Sequence, residues 1–361
     1  MQLLIFFLIL SGLVLIHEWG HYISAKIFGV RVEEFGIGIP PRAKKLFVRK
    51  GTLFTLNWLP IGGFVRLFGE EFQEGDDISK KLTDRFFDKP IWQRAIVMVA
   101  GVVMNFALGV LIFGGIYSYL GIPTQTEEVR VTEVMKGSPA ESVGIVAGDI
   151  IKKVEYEKTE SIFSKTDDLV KFIADHKGKE VKIVFNRDGS EMTKSVVPRV
   201  EPPVGEGALG VGLSNTIMKH YPWYEMPFRG MVVGINEAIA WGKQILTGLG
   251  DMAMSVLTGK GVPREVSGPI GIYQVSSEVT KFGWIATLQF IAILSINLAI
   301  LNILPLPALD GGRIVFLGVE MLIGKRLKNR IEGYVHAAGM YALLLLMALI
   351  TFRDVAKIFK W

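Results

Sequence analysis

The chain has 361 residues, no cysteine, only five histidines and a formal charge of +5, and half of its residues are hydrophobic with a positive mean hydropathy. Such a composition belongs to a polytopic membrane protein of two or three compact units rather than to a soluble globular domain. It also excludes disulfides, thiolate nucleophiles and cysteine metal ligands, and the basic residues are too scattered to favour nucleic acid.

Taken in order, the chain opens on an apolar run, Leu3 to Ile16, broken only by Ser11 and Gly12, which flows into His17-Glu18-Trp19-Gly20-His21. Roughly 20 residues cross a bilayer, so residues 1–28 read as a retained transmembrane helix with no signal-peptide cleavage site. Histidines at i and i+4 share one helical face and can reach a single Zn²⁺, while the glutamate between them can take a proton from a water that the metal activates. On a soluble helix this five-residue pattern is often only a solvated face. Three ionisable residues at the end of an apolar helix are hard to explain that way.

Residues 29–93 hold four short alternating runs: Glu34 to Pro40, Lys45 to Arg49, Thr52 to Trp58, and Gly63 to Leu67, with a turn at Lys50-Gly51. They predict a small membrane-associated β-hairpin sheet whose free edge can pair with an extended peptide. Glu70 to Lys89 reads as a solvated linker. A second span follows at 94–120, where Asn105 is the one strongly polar residue, either bonding another helix or reaching the catalytic one.

Residues 121–205 turn soluble-like. Gly137-Ser138-Pro139-Ala140-Glu141 predicts a short helix capped by Ser138 with Pro139 at its first position, and Gly148-Asp149 predicts a turn. With the flanking β-rich runs, this stretch resembles a PDZ domain. Pro202 to Gly207 reads as a linker, and within residues 206–283 the stretch Trp223 to Thr258, interrupted by Glu237, Lys243 and Asp251, reads as amphipathic interfacial helices.

A third span, 284–312, ends in Asn302-Ile303-Leu304-Pro305-Leu306-Pro307-Ala308-Leu309-Asp310-Gly311. Two prolines break the helix and present Asp310 on irregular backbone at membrane depth, where such backbone is tolerated only beside protein or a cavity. Two histidines and one carboxylate, with the fourth position open, form the set expected of a catalytic zinc. His336 is the rival third ligand, but its neighbours supply no carboxylate to orient it, so its removal is expected to leave the site intact. Residues 313–332 read as a loop carrying Arg313, Lys325, Arg326, Lys328 and Arg330, which the positive-inside rule places in the cytoplasm; residues 333–361 form a fourth span and tail. Both termini and the PDZ-like stretch then face outward.

Together the His17–His21 motif, the Asn302–Gly311 motif, Gly62-Gly63-Phe64 and the single PDZ-like stretch resemble the site-2 protease family of intramembrane zinc metalloproteases, in its bacterial RseP-like branch. The fold implied is a polytopic α-helical membrane protein of about four transmembrane helices, with the small β-hairpin sheet and one extracytoplasmic α/β PDZ domain. By resemblance, His17, His21 and Asp310 bind Zn²⁺, Glu18 is the base, and Gly62, Gly63, Phe64, Asn302 and Asn105 contact substrate. Val102 stands where many members have proline, and one PDZ domain is present where some have two. The resemblance further implies regulated intramembrane proteolysis of single-span membrane proteins, such as an anti-sigma factor or a remnant signal peptide, in the bacterial inner (cytoplasmic) membrane. Its partners are those substrates, membrane lipid and a peptide ligand of the PDZ domain, without nucleic acid. Two rival classes make distinct demands: a PDZ adaptor has no need of Glu18 between the histidines, and a metal transporter should carry ionisable residues through several spans.

Overall fold

A computed structural model describes residues 2–70, 82–157, 159–259, 261, 268–324 and 329–359. The chain divides into two units, residues 1–118 with 227–361, and residues 119–226.

The first unit opens with α1 (Gln2–Ile27), followed by β1 (Val32–Arg49) and β2 (Thr52–Leu67), then α2 (Ile91–Leu120). Its second part contains α5 (Met226–Leu257), α6 (Pro269–Val279), α7 (Trp284–Ile303), α8 (Asp310–Ile323) and α9 (Asn329–Phe359). Among the described residues, four helices are long and apolar enough to cross a membrane: α1, α2, α7 and the Glu332–Ala356 part of α9.

β1 and β2 are bent so that each contributes two segments, and the four runs seen in the sequence lie side by side. Glu34 to Ile37 pairs with Gly63 to Arg66 on one side and with Leu53 to Leu56 on the other, while Lys44 to Arg49 closes against Thr52 to Leu56. Lys50 and Gly51 make the expected turn, both at positive φ. The buried carboxylate of Glu34 binds the sheet together: Arg42 donates to it at 2.6 and 3.1 Å and the Thr55 hydroxyl at 2.8 Å. Phe47, Val48, Trp58 and Leu59 remain exposed, an apolar surface suited to lipid.

β2 runs alongside α1. Gly62 N–H donates to Ser11 Oγ at 3.3 Å, Gly63 abuts Leu15, and the Val65 N–H reaches the Glu18 carboxylate. Three strand residues advance about 10 Å and seven helical residues about 10.5 Å, so the two elements stay in step up to Glu18. At the far end Ala25, Val30, Val32, Leu67, Phe86, Val97, Met98 and Leu317 form one core joining α1, the sheet, α2 and α8. The last part of the expected solvated linker is therefore not solvated: Phe86 is buried and its N–H donates to Phe68 O at 2.9 Å, while residues 71–81 lie outside the described residues.

The expected loop at 313–332 is also different. Residues 310–323 form α8, because Ile314, Phe316 and Leu317 can pack inward and Gly324, at φ 66°, stops the helix with a left-handed cap. Arg94, 2% exposed, pairs with Glu320 at 2.7 Å and ties α2 to this helix. Lys325, Arg326 and Lys328 lie outside the described residues, as does the side chain of Arg330. In place of several interfacial helices, residues 226–257 form the single helix α5. It is not among the candidate spans, and Gly230 and Gly234 let it close on Gly114 and Ser118 of α2.

The second unit holds β3 (Ile122–Val134), α3 (Pro139–Ser142), β4 (Ile150–Tyr156), β5 (Thr159–Ser161), α4 (Thr166–Asp175), β6 (Val181–Arg187), β7 (Ser190–Val196) and β8 (Val211–Lys219). Its sheet has the order β7-β6-β4-β3-β8, with β5 on β4. Ser138 caps α3, accepting the Glu141 N–H at 3.1 Å, with Pro139 in the first turn. Gly148 takes φ 101° at the turn, and the buried Asp149 accepts two hydrogen bonds from Arg187 at 2.7 Å. Burial raises the Asp149 carboxyl, but those bonds and the Val146 N–H outweigh it and hold the group below its ordinary value. The Pro/Gly stretch 202–207 is not a linker out of the unit. Arg199 N–H donates to Ala208 O at 2.9 Å, Leu209 is buried in the core, and the chain returns to add β8.

Candidate active site

Among the described residues, His17, His21 and Asp310 form a group whose ligand atoms lie within 4.8 Å of one another. His17 Nε2 is 2.9 Å from Asp310 Oδ2, His21 Nε2 is 3.3 Å from it, and the two imidazole nitrogens are 3.1 Å apart. Ligands 2.0–2.2 Å from a tetrahedral metal are separated by about 3.3 Å, so this triangle has the dimensions of three corners of a zinc tetrahedron.

The remaining ring nitrogens show why a cation belongs there. His21 Nδ1 stands 2.7 Å from the Val97 carbonyl, which accepts only if Nδ1 carries the proton. Nε2 of His21 then presents a lone pair to Asp310. His17 Nδ1 faces the Asn302 amide at 3.5 Å, and since amide oxygen and nitrogen interchange by a flip, the oxygen can accept from an Nδ1–H here as well. Oδ2 of Asp310 is buried and lacks a hydrogen-bond partner of its own among the described residues. In that tautomer the two Nε2 lone pairs and the Asp310 carboxylate form a donor set that suits a metal ion.

Two glycines make the approach possible. A Cβ on Gly20 would strike the Ala100 carbonyl oxygen, and one on Gly101 would stand 2.6 Å from His17 Cε1 and from His21 Nε2. α1 and α2 therefore cross at the motif, with Gly101 as the floor of the site. In the sequence, the signal for this floor is a glycine one helical turn before Asn105, next to the Val102 that stands in place of proline. Glu18, between the histidines, is in electrostatic reach of both and of Asp310, and its carboxylate accepts the Val65 N–H from β2.

Of the residues expected to contact substrate, Gly62, Gly63 and Phe64 line the β2 segment beside α1, with Gly63 paired to Ile37 and Phe64 to Gly36. Asn302 lies against His17. Asn105 is fully buried; its side-chain amide has no hydrogen-bond partner among the described residues, while its backbone oxygen accepts the Ser295 hydroxyl at 2.7 Å. His336 stands outside the metal group, yet it is not inert: the Ala308 N–H donates to its Nδ1 at 2.9 Å.

An HExxH helix joined by a distant aspartate inside a bundle of membrane-length helices defines a metallopeptidase of the membrane-embedded class. The chain matches the model of peptidase family M50 over residues 5–346, and it belongs to that family, the site-2 proteases. It is a site-2 type zinc metalloprotease and a multi-pass membrane protein. A Clostridium perfringens protein named as a zinc metalloprotease is 36% identical over 98% of both chains. The zinc metalloprotease RasP of Shouchella clausii is 30% identical over 99% of both, and the regulator of sigma-W protease RasP of Bacillus subtilis 27% over 98% of both. Among solved structures, the PDZ domain of an SdrC-like protein from Listeria monocytogenes aligns with 25% of this chain and 90% of that one, at 22% identity and a TM-score of 0.22.

The floor of the site yields a sharp expectation. Gly101→Ala should lower zinc retention at least tenfold in competition with a chelator, because its methyl group meets both histidine rings, whereas Val102→Ala should leave retention unchanged. Equal zinc retention by the two variants would show that α2 does not floor the metal site.

Proposed function

We propose that His17, His21 and Asp310 hold the zinc, that Glu18 is the general base, and that the enzyme cuts peptide bonds within the membrane segments of single-span proteins. The observation that carries this reading is the triangle of donor atoms, 2.9–3.3 Å on a side, beside a carboxylate that β2 also touches. When bound, the metal supplies Lewis acidity that polarises the scissile carbonyl and acidifies a water. The chain's own groups do the rest. Val97 and Asn302 hold the imidazoles in the tautomer that turns Nε2 inward. Glu18 takes the water proton and returns it to the leaving amine.

The strand 62–65 gives the substrate its place. An added strand along that edge would run beside α1 and bring a peptide carbonyl up to Glu18. A helical substrate hides its carbonyls in its own hydrogen bonds, so helix-breaking residues in the substrate favour cleavage. Asn302 and Asn105 lie on the helices that flank the metal group, where polar side chains serve substrate as well as ligands. The Bacillus subtilis relative, named as a regulator of sigma-W protease, supports an anti-sigma-type substrate; a remnant signal peptide is the other candidate. Residues 119–226 act as a PDZ-type peptide module on the outer face of a bacterial inner membrane, with the β1–β2 sheet on the cytoplasmic side.

Glu18→Gln should abolish cleavage of a model transmembrane substrate, a loss of about 10²–10⁴-fold, while leaving zinc bound, because the amide keeps the shape and cannot take the proton. Loss of zinc in that variant would make Glu18 a ligand and overturn the assignment. Topology is tested separately. A membrane-impermeant thiol reagent applied to intact spheroplasts should label a cysteine placed at Ser161 and spare one placed at Lys45; the reverse pattern would invert the orientation.

A further inference from the structure

The loop that delivers Asp310 contains a backbone conformation that its own sequence does not secure. Ala308 has φ 76°, in the left-handed region that an alanine adopts only when its surroundings hold it there. Turns on either side are satisfied locally: Leu306 N–H donates to Leu304 O at 2.7 Å, Leu309 N–H to Leu306 O at 3.3 Å and Gly312 N–H to Leu309 O at 3.1 Å. The N–H of Ala308 instead leaves the loop and donates to His336 Nδ1, 28 residues further on in α9, at 2.9 Å.

Gly339 and His336 set how α9 meets this loop and α8. Gly339, one turn after His336 on the same face, lies so close to Pro307 that a Cβ there would stand 2.9 Å from the Pro307 carbonyl oxygen. The His336 ring packs against Phe316 of α8, with centroids 5.5 Å apart. Nε2 of His336 is buried, with no hydrogen-bond partner among the described residues and the Glu332 carboxylate 4.0 Å away. Since Nδ1 accepts, the ring is held with its proton on Nε2. Side chain and helix thus grip consecutive residues, Pro307 and Ala308, immediately before the carboxylate that faces His17 and His21.

The geometry points to His336 as a positioning residue of the zinc site: by accepting the Ala308 N–H it keeps that residue left-handed and so keeps Asp310 aimed at the two histidines. This rests on the zinc assignment proposed above. Without that acceptor the half-buried N–H loses its partner and Ala308 is free to relax toward the extended region. The peptide that follows then rotates, and Asp310, two residues on, turns with it. His336 does not touch the metal, so its effect travels wholly through the loop. Outer partners of this kind change metal affinity roughly 10–100-fold.

The test compares full-length protein in detergent carrying His336→Leu, which keeps bulk and removes the acceptor, with His336→Asn, whose Oδ1 falls near the place of Nδ1. Zinc retention is read by titration with a chromophoric chelator, and kcat and KM are measured at saturating zinc. His336→Leu should weaken zinc retention about 10–100-fold and lower kcat with KM nearly unchanged, and His336→Asn should return retention to within about threefold of wild type. Wild-type retention in His336→Leu overturns the inference. So does equal weakness of the two variants, folded or not, which would assign His336 to packing alone. Asp310→Ala runs beside them: if it retains zinc as tightly as the wild type, the ligand assignment itself fails, whatever the His336 variants do.

Discussion

Everything in the membrane unit depends on bringing an aspartate and two histidines that are 289 to 293 positions apart in sequence to within 3.3 Å. Unprotonated nitrogen and carboxylate oxygen do not gather at that distance in a low-dielectric interior without a cation to receive their electron pairs. The proposed metal site is thus both the chemistry and a clamp between α1 and the start of α8. The surrounding packing follows from it. Gly20 and Gly101 let α1 and α2 close to backbone contact, and Gly311 and Gly312 let the turn after Asp310 press against the carbonyls of Ile303, Leu304 and Leu306. Glycine at such positions is a requirement of approach, since any side chain would separate the very elements that carry the ligands.

Charge is managed with equal economy in a region where an unpaired ion is expensive. Arg94 is almost wholly buried and meets Glu320; Arg313 meets Glu70. Both pairs fasten α8, the helix whose first residue is Asp310. Removing one partner of such a pair strands a buried charge, so these links favour one placement of α8 over any other. At the opposite end of the bundle, Asp354 of α9 accepts the N–H groups of Gly268 and Gly271 at 2.8 and 3.0 Å and caps α6. α9 therefore braces the membrane unit at both of its ends, through His336 and through Asp354.

Elements governed by local pattern were legible in the sequence. The four apolar helices of membrane-spanning length are legible by length, the sheet runs by alternation, the α3 cap by Ser138 and Pro139, and the ligand candidates by spacing and by the proline-glycine loop around Asp310. What could not be read depended on partners far along the chain. β8 is a polar, half-exposed strand whose membership is set by pairing with β3, so the stretch before it looked like an exit linker. α8 is hard to read because its short apolar face lies between a loop signal and a cluster of basic residues. Gly101 carries no chemistry in one dimension and becomes the floor of the site only when α1 lies across α2. His336 was judged by its neighbours in sequence, which offer no carboxylate, whereas its partner is a backbone N–H in another element.

X-ray absorption at the zinc edge of the purified, zinc-loaded Glu18→Gln protein tests the central claim most directly, because it reads the donor set without depending on turnover. Two imidazoles and one or two oxygens at about 2.0–2.2 Å, falling to an imidazole shell with altered oxygen content in the Asp310→Ala variant, is the spectrum predicted by a His17–His21–Asp310 centre. A third imidazole in the shell, or a spectrum that Asp310→Ala leaves unchanged, would contradict it.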